Sequence, residues 1–179
     1  MTRHAAADAW DEQLQRVRTQ IEVAGAHAGV VPHTRTQHMS GLEIMQALLA
    51  GHLPYPPIAD TLDFFLVEVS HGSATFQGTP QVKHFNPMGG VHGGWYATML
   101  DSAVGCAVQT MLPARQGYTT AELSVNIVRA ARPDTGPLRA IGEVLHCGRQ
   151  LATAEGRIVD GNGRLYAHAT TTCLVFELK

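Results

Sequence analysis

The segment Trp95–Leu112 is apolar over about five helical turns. A helix that is apolar on nearly every side cannot rest on a surface. It has to be enclosed, by a sheet or by a neighbouring subunit. One carboxylate, Asp101, stands in its middle, and a glycine-rich loop, Asn86–Gly94 (NPMGGVHGG), runs directly into its start. An acid on such a helix is costly unless it is paired, neutralised or used. The start of a helix offers free backbone N–H donors and the positive end of the dipole. A carboxylate and an anion-stabilising helix start are the parts needed to hydrolyse an acyl group.

What surrounds this helix reads mostly as strands. Phe64–Val69 is a strand, His71-Gly72 a turn and Ala74–Thr79 a returning strand. Four more strand-like stretches follow the helix, at about 119–130, 138–147, 150–159 and 164–176. A tight turn is expected near Gly148, and Asp160-Gly161-Asn162-Gly163 is a strong hairpin signal because its residues accept positive φ. Leu123, Val125 and Ile127 alternate with Glu122, Ser124 and Asn126, the pattern of a sheet with one covered face. A hairpin, one long apolar helix and a four-strand antiparallel meander describe an α+β hotdog fold: a curved antiparallel sheet around a central helix. Ahead of it, residues 1–57 read as a helical extension with a Pro-rich connector, leaving 58–179 for the main domain. Trp10, Leu14, Val17 and Ile21 share one face of a helix. Ser40 and Glu43 form a capping pattern before a second helix that Gly51 stops. Pro54, Pro56 and Pro57 then end any helix.

Composition excludes several classes. At 179 residues and 45% hydrophobic, the chain can bury a core without staples. A net charge of −2 leaves no basic excess for nucleic-acid phosphates. Asp101, Ser102 and Gln109 interrupt the best membrane-span candidate. The N-terminus lacks the apolar core of a signal peptide. Cys106, Cys147 and Cys173 are odd in number and contain no CxxC, so they are expected to be reduced core thiols of a cytoplasmic protein. His33, His38, His84 and His92 lack the paired spacing of a zinc site, and neither metal nor cofactor is expected.

The loop and helix resemble the PaaI-like (phenylacetate-degradation type) hotdog thioesterases, which hydrolyse acyl-coenzyme A thioesters. The family pattern is N-x-x-G-x-x-H-G-G followed by an acid seven positions on. Here it is Asn86, Gly89, His92, Gly93, Gly94 and Asp101. The likeness spans roughly residues 58–177, with Ala130 where a proline is usual and a longer N-terminal segment. It implies Asp101 as general base or nucleophile and the Gly93 N–H as the group that polarises the carbonyl. It implies Asn86 and His92 at the carbonyl or leaving sulfur and Thr120 as a hydroxyl that orients water. Gly94, Arg132 and Arg149 would then lie on the substrate or coenzyme A side.

Gly93 and Asp101 are eight residues apart, or about 12 Å along one helix. One carbonyl cannot be served by both from the same chain. If both roles hold, two helices must pack antiparallel, giving a homodimer or a dimer of dimers with shared sites.

Plainer readings stand beside these. Asp101 could be a structural acid, His92 a loop brace, and Asn86 a turn former. Thr120 could be a simple β-former, and Arg129, Arg132 and Arg149 solvated charges. Trp95, Tyr96, Met99 and Met111 could line an acyl pocket or be core. The rival functions are a hotdog hydratase or dehydratase of acyl thioesters and a non-catalytic acyl-CoA-binding module.

Overall fold

The computed structural model describes residues 5–132 and 134–178. Four short helical segments precede the sheet: α1 (Ala5–Val23), α2 (His33–Thr36), α3 (Gly41–Leu49) and α4 (Pro57–Leu62). Strands β1 (Phe64–Ser70) and β2 (Ser73–Gly78) form the first hairpin, a 3-10 turn spans Val82–His84, and the central helix α5 covers Gly93–Gln109. Strands β3 (Gln116–Ile127), β4 (Leu138–Cys147), β5 (Leu151–Asp160) and β6 (Leu165–Glu177) complete the chain. The hairpin at 160–163 closes as expected, with Gly163 at φ 74 and the Asp160 carboxylate accepting from the Asn162 and Arg164 N–H groups.

All six strands form one antiparallel sheet in the order β1-β2-β4-β5-β6-β3. The expected four-strand meander is therefore corrected. β4, β5 and β6 do follow one another, but β3 pairs with β6 at the far edge, and β4 joins β2. The connection after β3 runs from that edge back into the sheet, where β4 lies between β2 and β5.

The sheet encloses α5. Trp95, Tyr96, Met99, Leu100 and Ala103 are buried against Phe64, Phe76, Leu138, Ala140 and Ile158. Helix and sheet approach closely at two glycines. A Cβ on Gly156 would lie 2.7 Å from Val104 Cγ1, and one on Gly142 would collide with the Ala103 carbonyl. Of the four candidate pocket residues, Trp95, Tyr96 and Met99 are core and Met111 is half-buried; Trp95 Nε1–H donates to Leu62 O (3.0 Å) and Ala131 N–H donates to the Tyr96 hydroxyl (2.7 Å).

The N-terminal extension differs from the expectation of two helices and a connector. Pro57 opens α4 instead of ending a helix, since a proline in the first turn forfeits no hydrogen bond. The boundary expected at 57/58 thus falls within α4. The Ser40–Glu43 capping box is present. α1 lies on the outer face of β1, β2 and β4. Ala74 and Phe76 point to α5, so Thr75 and Gln77 point outward, and Gln77 Nε2 donates to Trp10 O of α1 at 3.1 Å. Val17 and Ile21 of α1 pack on Phe65.

Candidate active site

α5 is capped by His92, whose Nδ1 accepts from the Gly94 N–H at 2.9 Å. This takes one of the helix's free donors and leaves its neighbour. The Gly93 N–H has no acceptor among the described residues. The loop before it is closed by Asn86. Its Oδ1 accepts from Met88 N–H (2.9 Å) and Gly90 N–H (3.2 Å), and its own N–H donates to Gly90 O (2.8 Å). These bonds fit the turn-forming role for Asn86 and the bracing role for His92. They leave the Asn86 Nδ2 amide as the part able to meet a substrate.

A second brace comes from His84. Its carbonyl accepts from His92 N–H (2.8 Å), its Nδ1 accepts from Gln81 N–H (3.1 Å), and its ring stacks on Trp95 at 5.8 Å. Burial holds the imidazole below its ordinary pKa, with Lys83 adding to the effect and Asp63 opposing it. The sequence singled out His84 only to reject it as a metal ligand. Its bracing role depends on contacts with a helix that follows it, which local pattern does not show.

Asp101 is half-buried two turns into α5. Among the described residues it has one donor, the Thr120 hydroxyl, 3.1 Å from Oδ1. That contact depends on a bulge. The β3–β6 register shifts between Thr120 and Glu122, leaving Ala121 as the extra residue. Without the shift, strict alternation could not send both Thr120 and Leu123 toward the helix. The bulge re-aims Thr120, as bulges beside functional sites do. Tyr118 and Cys106 complete the surroundings. A Cβ on Gly105 would come 2.5 Å from the Tyr118 hydroxyl. Burial, then the neighbouring Asp101, pushes the Cys106 thiol up to about 12, so it is a neutral wall of the site.

Gly93 lies at the other end of the sheet, beside the end of β3. A Cβ there would meet Ile127 Cδ1 at 3.3 Å. Just past Ile127 a broad groove of about 820 Å³ opens between the end of β3 and the β5–β6 turn. Arg129, Arg132 and Arg164 line it together with Asp134 and Asp160. Arg149 is elsewhere, in the β4–β5 turn at the opposite end of strands of 10 residues, roughly 30 Å away. The structure therefore unites Asp101 with Thr120, and places Asn86, His92, Gly93 and Gly94 together at the helix start. It separates these two groups along α5, and Arg132 from Arg149. Among the described residues no group of three or more His, Cys, Asp or Glu gathers as metal ligands. No described helix is long and apolar enough to cross a membrane.

The model of the thioesterase superfamily matches residues 88–167, which take in the loop from Met88, α5, β3, β4 and β5. Solved structures share the fold. A phenylacetic acid degradation-related protein from Ralstonia eutropha is 29% identical, with a TM-score of 0.66 over 73% of this chain and 98% of that one. A mutant of the phenylacetic acid degradation protein PaaI from Thermus thermophilus is 24% identical, with a TM-score of 0.60 over 66% and 97%. A hypothetical thioesterase from Streptococcus pneumoniae, solved with coenzyme A, is 24% identical, with a TM-score of 0.58 over 65% and 90%. No curated protein matches the sequence. Motif and topology are those of a hotdog fold, and the part of the chain that carries them is similar to the thioesterase superfamily. Among these structures the similarity extends to the phenylacetic acid degradation proteins.

Proposed function

We propose that the protein hydrolyses an acyl-coenzyme A thioester to the free acid and coenzyme A. The observation that carries this reading is Asp101: a half-buried carboxylate on an apolar helix, with one hydroxyl donor and no cation paired to it among the described residues. A structural acid in such a place would be neutralised by a partner. Asp101 serves as general base toward water or as nucleophile toward the carbonyl, and Thr120 orients it or the attacking water. Thiolate is a fair leaving group, so the remaining need is a donor for the developing oxyanion. The free Gly93 N–H answers that need, and the missing Cβ lets a carbonyl approach.

The two groups are eight residues apart on α5, about 12 Å, so they act on one carbonyl only across a dimer. Strand β3, which carries Thr120, is a sheet edge of 12 residues with no neighbour on its outer side in the described chain. Pairing through that edge would set two copies of α5 side by side. The arginine groove beyond Ile127 suits the phosphates of coenzyme A, which accompanies the Streptococcus relative. In this reading Arg129 and Arg164 join Arg132 there, and Arg149 reaches coenzyme A only from another subunit. The protein acts without cofactor or metal, and a cytoplasmic setting suits its substrate.

The test is free-thiol release from a panel of acyl-CoAs, run with wild type and Asp101→Asn. The variant keeps the acceptor for Thr120 and loses the ionisable oxygen. Its rate is expected to fall by about 10²–10⁴ with the fold intact. Mixing Asp101→Asn chains with Gly93→Val chains should restore one working site per hybrid dimer. Wild-type turnover by folded Asp101→Asn, or full activity in a stable monomer, would refute the proposal.

A further inference from the structure

The hydrolytic reading fixes where a thioester carbonyl sits, and α3 bears on what hangs from it. This helix begins where α5 ends. Gly41 N–H donates to Leu112 O at 2.9 Å, and Gly41 packs so close to the Gln109 carbonyl that no side chain fits between them. The capping box adds Ser40 N–H to Glu43 Oε2 at 2.7 Å and Glu43 N–H to Ser40 Oγ at 3.3 Å. Both ends of that first turn are thereby tied, and α3 is a wall of fixed position.

Between α3 and the start of β3 runs a groove of about 360 Å³, the size of a small-molecule pocket. Ile44, Met45 and Leu48 of α3 line one side, Cys106 the floor, and Tyr118 and Phe176 the other side. Asp101 and Thr120 do not line this groove, but two residues of its inner wall stand near them. Cys106 is five residues beyond Asp101, about 7.5 Å along the helix. Tyr118 is two residues before Thr120 on the same face of β3, and Thr120 holds Asp101. Met45, Leu48 and Cys106 also bound a second apolar cavity of about 40 Å³. The unbranched Met45 side chain therefore stands between two spaces and can yield to lengthen the groove.

The geometry points to this groove as the site of the acyl group, with α3 setting its length. A thioester whose carbonyl is at Asp101 lays an apolar acyl chain of medium length along the last two turns of α5. The run from Asp101 to Gln109 is about 12 Å. The substrate class is thus a medium-chain acyl thioester, and Ile44 and Leu48 are its specificity residues. The inference rests on the reading of Asp101 as the hydrolytic carboxylate.

Two measurements test it and separate its failure from failure of the hydrolase reading. The first is calorimetric binding of S-alkyl coenzyme A thioethers, which cannot be hydrolysed, from ethyl to octyl. Affinity should rise about fourfold per buried methylene. Ile44→Trp and Leu48→Trp should flatten the rise, and Ile44→Ala should extend it to longer chains. Val23→Trp, on the exposed face of α1, should leave the series as in wild type. The second is kcat/KM for acetyl-CoA through octanoyl-CoA. The octanoyl-to-acetyl ratio should drop at least tenfold in Ile44→Trp and rise in Ile44→Ala. An affinity series flat with chain length in wild type, or unmoved by all three groove variants, overturns the groove. A rising thioether series in a wild type that hydrolyses nothing retains the groove and overturns the hydrolase reading.

Discussion

Replacing Arg139 with Met should loosen the grip of the sheet on α1. The guanidinium is 5% exposed and makes three hydrogen bonds: to Gln77 Oε1 (2.9 Å), Glu68 Oε1 (3.0 Å) and Gln13 Oε1 (2.7 Å). It also lies 4.4 Å from the Trp10 ring centroid. Met preserves much of the stem volume and removes all four contacts. The largest loss falls on Gln77, which is fully buried and would keep an acceptor without a donor, at about 1–3 kcal/mol. The Trp10 contact adds about 0.5–2 kcal/mol. Glu68 is 53% exposed and recovers water, so its pair is worth about 1 kcal/mol at most. Relief from burying the guanidinium, which holds its pKa below the ordinary value, returns part of this. The net expectation is a loss of about 2–4 kcal/mol, read by urea unfolding, with faster proteolysis within α1. Adding Gln77→Leu should recover part of this, because the unpaired Oε1 is gone, although the Gln77 Nε2 bond to Trp10 O (3.1 Å) is lost with it. A loss below about 1 kcal/mol, or no recovery in the double variant, would show that this cluster is solvated and does not hold α1.

Gly93→Val should cost little stability, since only the flexible end of Ile127 must yield, but should cut kcat by about 10² or more by crowding the oxyanion position; an active, folded variant removes that role. Because burial lowers the His84 pKa, the unfolded chain takes up that proton first as pH falls below about 6.5. Stability should therefore be held above that pH and lost through the lower folded value; denaturation at pH 7 and pH 5 should show a loss that shrinks in His84→Gln. The Cys106 thiol is raised from 9.0 to about 12, a difference of about three units. Its thiolate fraction at pH 8 is thus about 10³ lower than in the unfolded chain, and residue-resolved alkylation should be slower by that order. The same shift makes stability fall as pH climbs from about 9 toward about 12. Alkylation of native Cys106 at the unfolded rate would contradict the raised thiol.

The fold was legible in the sequence because its signals are local and strong: the apolar helix, the alternating strands, the Asp160–Gly163 hairpin and the Ser40–Glu43 box. Strand order was not, since the pairing of β3 with β6 joins strands far apart in the chain, which local pattern does not show. Pro57 was misjudged because a proline that stops one helix can equally begin another, and only the register of α4 tells which. At the site, the loop and Asp101 stood out by motif. The Asp101–Thr120 contact could be expected from resemblance, but the bulge at Ala121 that creates it leaves no mark in composition. Likewise nothing in residues 40–48 indicates that α3 will stand beside Cys106.

The outer edge of β3 has one further consequence. Its backbone N–H and C=O groups must be satisfied by water or by another strand. Because Thr120 lies on that strand, whatever occupies the edge also settles how firmly Asp101 is held. On the proposed inter-subunit site, assembly and chemistry would share one equilibrium, and specific activity would become a function of protein concentration. Dilution would erode turnover per chain by mass action before it unfolds anything, and the midpoint of that decline would report the affinity of the edge for its neighbour.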